Sequence, residues 1–247
     1  MSRDNHPAIT TTPQTLMILP CCSEKTAGGA GNYKEYLSES ISHEGYELIM
    51  ETRKKILSNM TQSEHYITGK YSKNKNIKAG KDLGGNNSTG KYMQAIDRYT
   101  GSLYSSVEDF PQLIRQSFRK GNSPKIIILS ALYGPLYPFD MIQNYNLKMS
   151  DKLAYTAWKT TFPSFLAEYV INNQINQILL YLGQQTAYFK VVKGATKKLK
   201  DVNAIHLNVK NGNSYHTPHN HGLCIAKHLG YLQNISFTRK IVLQHFA

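Results

Sequence analysis

Acidic residues are scarce: 16 Asp and Glu against 29 Lys and Arg leave this chain of 247 residues with a formal charge of +13. Such a surplus says nothing about fold, but it favours polyanionic partners, with nucleic acid, DNA in particular, the first expectation. Long apolar runs are missing too. No stretch approaches the roughly 18 consecutive apolar residues of a membrane span, and residues 1–14 are polar, without the apolar core of a signal peptide. No membrane partner is therefore expected, and the default location is the cytoplasm. Cysteines number three, with Cys21 and Cys22 adjacent, too few for the disulfide framework of a small secreted domain. The chain also lacks a Walker loop, a Gly-x-Gly-x-x-Gly turn, a Gly-x-Ser-x-Gly elbow and a paired Cys-x-x-Cys, so no cofactor is expected. Tyrosine, by contrast, is abundant at 17 residues, and its ring stacks on a base while its hydroxyl donates a hydrogen bond.

Residues 1–15, polar and carrying Pro7 and Pro13, read as a flexible lead, and 16–247 as a single compact domain. Leu16-Met17-Ile18-Leu19 is a buried strand that delivers Cys21, Cys22 and Ser23 into a glycine-rich loop. Ser42 caps a helix carrying Ile49, Ile56, Leu57 and Met60. Ser105 or Ser106 caps another, with Glu108 and Asp109 in its first turn. Residues 125–130 form the strongest strand. Ser150-Asp151 opens a helix that Pro163 interrupts, 178–182 and 204–209 are further strands, and 222–232 is a helix. Strands alternating with helices define an α/β class, with mixed α+β the variant, and their uniformly apolar runs predict a sheet covered by helices on both faces.

Residues 69–91 break this pattern. They hold Lys70, Lys73, Lys75, Lys78, Lys81 and Lys91 against one acid, Asp82, with five glycines and no apolar period. Such a segment is expected to be a mobile basic insertion, either a solvated loop or an arm that tracks phosphates. Lys197, Lys198 and Lys200 form a second basic cluster. The longest constrained loop, 130–150, follows the strongest strand, where α/β sheets gather their ligands. It would bring Ser130, Tyr133, Asp140, Gln143 and Tyr145 to one crevice, with Gly134 and two prolines fixing its path.

That loop resembles the signature of the YaaA peroxide-stress family, Ser-x-Leu-Tyr-Gly-x-Leu-x-Pro-x-Asp-x-Ile-Gln-x-Tyr-x-Leu-x-Met, at Ser130, Leu132, Tyr133, Gly134, Leu136, Pro138, Asp140, Ile142, Gln143, Tyr145, Leu147 and Met149. Two more segments agree in order: Ser23-Glu24-Lys25-Thr26 is similar to the family's Ser-Pro-Ala-Lys-Thr, and Tyr99, Gly101 and Tyr104 to its aromatic-x-Gly-x-x-Tyr. The chain departs at Tyr137 and Asn146, where members carry Arg, and at Lys148, where they carry Glu. The resemblance implies a compact α/β DNA-binding protein of the cytoplasm that limits oxidative damage, with Lys25, Tyr99, Gly101, Tyr104 and the signature residues at its ligand site.

A fainter resemblance, of Cys22-Ser23-x-Lys25 and the Ser130 loop to the core domain of archaeosine synthase, implies the alternative of an enzyme modifying a nucleobase or nucleotide. There Cys22 or Cys21 would be the nucleophile, Lys25 its electrostatic partner beside Ser23, and Asp140 an acid, base or base-edge acceptor. Buried structural thiols are the competing account. His216, His219 and His221 are the candidates for a metal, but no standard zinc spacing is present, so no metal is assigned and a surface histidine cluster is expected.

Overall fold

The computed structural model describes residues 9–87, 90–209, 217–231 and 241–246. Its centre is a six-stranded sheet. β1 (Thr15–Pro20), β3 (Lys125–Ser130), β6 (Gln177–Leu180) and β7 (Asn203–Val209) run parallel, while β4 (Gly134–Leu136) and β8 (Ile241–Phe246) close the two edges antiparallel, in the order β4-β3-β1-β6-β7-β8. The strands are continuous apolar runs because both faces are covered: Leu16 through Leu19 and Ile126 through Leu129 are fully buried. The α/β expectation holds. From β1 the chain crosses first to β3 and later to β6 on the other side. β1 is therefore where the winding reverses, and α/β folds open their crevices beyond the carboxyl ends of such strands.

The first crossover carries α1 (His43–Thr61), whose N-cap Ser42 accepts from the Gly45 amide, as its spacing predicts. α4 (Lys152–Asn172) packs against α1, where Thr52 and Thr161 share a buried hydrogen bond of 2.9 Å, and against α5 (Ala187–Thr196). Pro163 was expected to break α4, yet the helix runs through it: Trp158, Phe162, Phe165, Leu166 and Tyr169 bury one face, and that packing outweighs the single lost hydrogen bond. α3 (Phe110–Arg119) begins three or four residues later than predicted, because Asp109 rather than Ser105 or Ser106 caps it. α6 (Thr217–His228) starts ahead of the predicted 222, and His221 binds it to β7 through the Leu207 carbonyl at 2.8 Å.

The segment predicted to be a mobile insertion packs into the body. Tyr71, Asn74, Ile77, Asp82 and Leu83 are buried, and the Asn74 side chain bonds the Asn146 backbone in both directions, at 2.9 and 2.6 Å. The signature loop, read as irregular, contains β4 and also β5 (Met141–Ile142), which pairs with β2 (Met93–Gln94) in a separate two-stranded sheet. α2 (Ala95–Arg98) follows β2 directly.

Candidate functional site

The three signature segments meet over the carboxyl ends of β1 and β3. Lys25 forms an isolated bridge with Tyr99, the Gly101 amide donates to the Cys22 thiol at 3.3 Å, and Tyr104 donates to the Pro20 carbonyl at 2.8 Å. Tyr145 ties in the third segment: its hydroxyl lies 2.8 Å from Ser130 Oγ, 3.0 Å from the Tyr99 hydroxyl and 3.2 Å from Cys21 Sγ. Cys21 Sγ in turn lies 2.9 Å from the Tyr188 hydroxyl. Burial pushes the Tyr99, Tyr104 and Tyr145 phenols well above the ordinary value, so all three stay protonated.

Above this floor opens a cleft of about 1230 Å³. Its base holds Ser23, Lys25, Gln143 and Tyr145; its walls come from the loop at Gly28 and Gly29, from residues 69–76 and from residues 144–152. Among the described residues six lysines line it, Lys25, Lys70, Lys73, Lys91, Lys148 and Lys152, against Asp151 alone among acids. Tyr71 and Lys70 both bind Asp151, the N-cap of α4, so one contact fastens the 69–76 wall to that helix. Lys25 is the innermost cation. Its Nζ donates to the Cys22 carbonyl at 2.7 Å and stands 4.2 Å from the centre of the Tyr145 ring. Burial draws its pKa below the ordinary lysine value, with the Arg98 charge acting in the same direction.

Several expected site residues serve the frame instead. Asp140 is buried and does not line the cleft. Its carboxyl accepts the backbone N–H groups of Tyr36, Leu37 and Tyr137 at 2.6, 3.3 and 2.7 Å, and burial with the nearby Glu35 pushes its pKa up to about 8. It pins the loop after β4 to the chain before α1, outside the lining of the cleft that Lys25 enters. Cys22 is likewise no thiolate: burial pushes it up to about 11, and its thiol donates to the Glu24 carbonyl at 2.8 Å. Tyr133 is wholly buried and donates to Asp82 at 2.6 Å. Gln143 lines the base but spends its amide on Asp82 and on the Lys78 backbone. Gly134, with φ +68°, sits where any Cβ would meet the Trp158 ring. Gly101 likewise leaves room for Cys22.

Of the basic insertion, Lys70, Lys73 and Lys91 reach the cleft while Lys75, Lys78 and Lys81 do not line it. Lys197 and Lys198 lie at the end of α5, where the chain has returned to the opposite, amino-terminal edge of the parallel strands. His221 is a core residue bonded to Leu207, its pKa lowered by burial to about 4, and His219 is on the same helix. His216 lies outside the described residues, among which no cluster of three potential metal ligands occurs. Sequence reasoning missed Lys152 and Asp151 as cleft residues. It also missed Arg53, which holds Glu35 at 2.9 Å and the carbonyls of Tyr133 and Pro135 from behind.

Fold and site together define an α/β domain with a basic, tyrosine-floored cleft at the reversal of its sheet. The model of the family described as Peroxide stress protein YaaA matches residues 16–224, and the chain belongs to that family. Among its curated relatives, a UPF0246 protein of Shewanella woodyi is 34% identical over 112 residues, 42% of either chain. One from Janthinobacterium sp. is 31% identical over 127 residues, 48% of this chain and 47% of its own. One from Bordetella pertussis is 30% identical over 125 residues, 48% of each. The match thus spans about half the length of these relatives, or less. Among the described residues no helix is long and apolar enough to cross a membrane.

Proposed function

We propose that this member of the peroxide-stress family is a cytoplasmic nucleic-acid-binding protein, with DNA its first partner, and that the lysine-lined cleft is where the strand lies. The observation that carries this reading is convergence: lysines from four separate stretches of chain, at 25, at 70 and 73, at 91, and at 148 and 152, face one cavity with a single acid. Isolated surface lysines would be scattered. Phosphates spaced along a strand need cations spaced along a groove, and each one neutralised releases a counterion, so binding falls with salt. The cleft exceeds the roughly 300–1,000 Å³ of an ordinary small-molecule pocket, which favours a polymer over a free nucleotide.

Fluorescence anisotropy with a labelled single strand and the matching duplex, over a salt series, tests it. Binding is expected to weaken linearly in log salt, with a slope that shrinks by about 0.7 for each of the exposed cleft lysines removed when the ligand is single-stranded. Neutralising Lys73, Lys148 and Lys152 together to Gln should therefore flatten the slope by about 2. An unaltered slope would sink the proposal. The alternative, an enzyme built on Cys22, Ser23, Lys25 and Asp140, draws less support, because Ser23 and Lys25 line the cleft and Asp140 does not.

A further inference from the structure

Among the six lysines Lys25 is set apart by its surroundings. Lys70 is paired to Asp151; Lys25 has no carboxylate partner among the described residues, and its Nζ bonds only the neutral Cys22 carbonyl. Its backbone is held by the bridge to Tyr99, so the side chain rises from a fixed point between two tyrosine rings, 4.2 Å from the centre of one and 5.7 Å from the other. A lysine so placed is a poor general phosphate clamp, since the other five reach further out and carry the polyanion. It is a well-placed amine. It also covers the face of Tyr145 toward the cleft, the place where a base entering the cleft would otherwise stack. The position of a strand that passes over Lys25 is therefore best filled by a nucleotide with no base.

We infer that Lys25 is an amine nucleophile that forms an imine with the ring-opened sugar aldehyde of an abasic nucleotide in a single DNA strand lying in the cleft. This rests on the nucleic-acid reading of the cleft above. The Nζ lone pair attacks the aldehyde carbon and a C–N bond forms. The carbonyl oxygen then leaves as water, carrying both amine protons, and a C=N bond remains. No oxidant, reductant or metal enters the balance. Desolvation of the amine raises the fraction present as the free base at neutral pH, as it does for other Schiff-base lysines. The neighbouring tyrosines, being protonated, do not compete with it as nucleophiles.

The test is reductive trapping. The full chain is incubated with a fluorescent single-stranded oligonucleotide carrying one abasic site, sodium cyanoborohydride is added, and the adduct is read on a denaturing gel and mapped by mass spectrometry. One adduct per chain, mapped to Lys25 and lost in Lys25→Arg while Lys197→Arg, outside the cleft at the end of α5, retains it, is the expected result. No adduct, or one spread over surface lysines and unaffected by Lys25→Arg, would overturn the inference. Because mapping on the native chain needs no variant, a folding failure of Lys25→Arg does not remove the test. A parallel arm offers glyceraldehyde 3-phosphate; trapping of that aldehyde at Lys25 without trapping of the strand overturns the strand as substrate. Anisotropy with an intact strand separates the two readings: binding without trapping refutes only the imine, and no binding refutes the cleft as a nucleic-acid site.

Discussion

At the scale of single residues, the pairing of Cys22 with Lys25 shows how spacing misleads. Three residues apart after a strand, they read as a thiol beside its activating cation. The turn instead points Lys25 Nζ at the Cys22 carbonyl, and the thiol points at the Glu24 carbonyl, so burial wins over the cation and the thiol stays protonated. Alkylation of Cys22 by iodoacetamide, followed by mass spectrometry, is accordingly expected to be slow at pH 8 and to rise with a midpoint near 11. A midpoint near the ordinary 9 would show that the thiol is solvated. Gly134 was legible as a loop glycine, but not its reason. Its φ of +68° and a Trp158 ring atom 2.2 Å from where a Cβ would sit make Gly134→Ala a double fault of backbone and overpacking. It should cost roughly 2–5 kcal/mol by urea unfolding, with the loss falling on β4 and the signature loop. Asp140 could be picked out from the sequence; its role could not, because its partners are backbone amides about a hundred residues upstream as well as three residues away.

At the scale of elements, the strands and the caps at Ser42 and Asp151 were readable because apolar runs and capping side chains are local signals. Segment 69–87 was not, because its anchors are few and scattered among lysines: Tyr71, Asn74, Ile77, Asp82 and Leu83 bury without any periodicity. A composition average cannot see five well-placed side chains. Asp151 joins this segment to α4. Asp151→Asn keeps a good N-cap while removing the charge that holds Lys70, so hydrogen exchange is expected to speed up across 69–76 with little change in global stability. Equal exchange in both proteins would show that Asn74 and Tyr71 suffice.

The docking of α6 on β7 carries a pH dependence of definite sign. His221 has its pKa lowered from 6.5 to about 4 by burial, so the folded state binds fewer protons than the unfolded one between those values. The stability it leaves in place above pH 6.5 is lost as pH falls toward 4, on the order of 3 kcal/mol in all. His221→Gln can still donate to Leu207 and does not titrate. The gap in unfolding free energy between the two proteins should therefore shift in favour of the variant as pH falls from 7 to 4. His228 and Asp140 titrate in both proteins and cancel in that difference. A gap independent of pH would mean that His221 is charged and solvated in the fold.

At the scale of the whole molecule, the charge of +13 is partitioned by the fold rather than spread. Along the sequence, the basic insertion and the signature loop are two separate features, one a lysine-rich segment and the other a constrained loop that follows the strongest strand. The structure makes them two walls of one cleft, because Asn74 grips Asn146 and Asp151 grips Lys70 across about seventy and eighty residues of chain. No local pattern announces a contact of that span. Lys148, where the family pattern has an acid, adds to the same side. Lys197, Lys198 and Lys200, as dense a cluster in sequence, end up at the far edge of the sheet. This separation permits a charge-matched comparison. Replacing Lys73, Lys148 and Lys152 by Gln, or Lys197, Lys198 and Lys200 by Gln, lowers the net charge by the same three units. If binding to a single strand reflected total charge, the two triple variants would lose affinity and salt slope alike, since long-range attraction depends on net charge and ionic strength. A cleft that holds the strand predicts a large loss and a flatter slope in the first variant only, the second changing chiefly the association rate at low salt. Equal losses at about 0.15 M salt, where the screening length is about 8 Å, would show that the cleft is no more than one part of a uniformly basic surface.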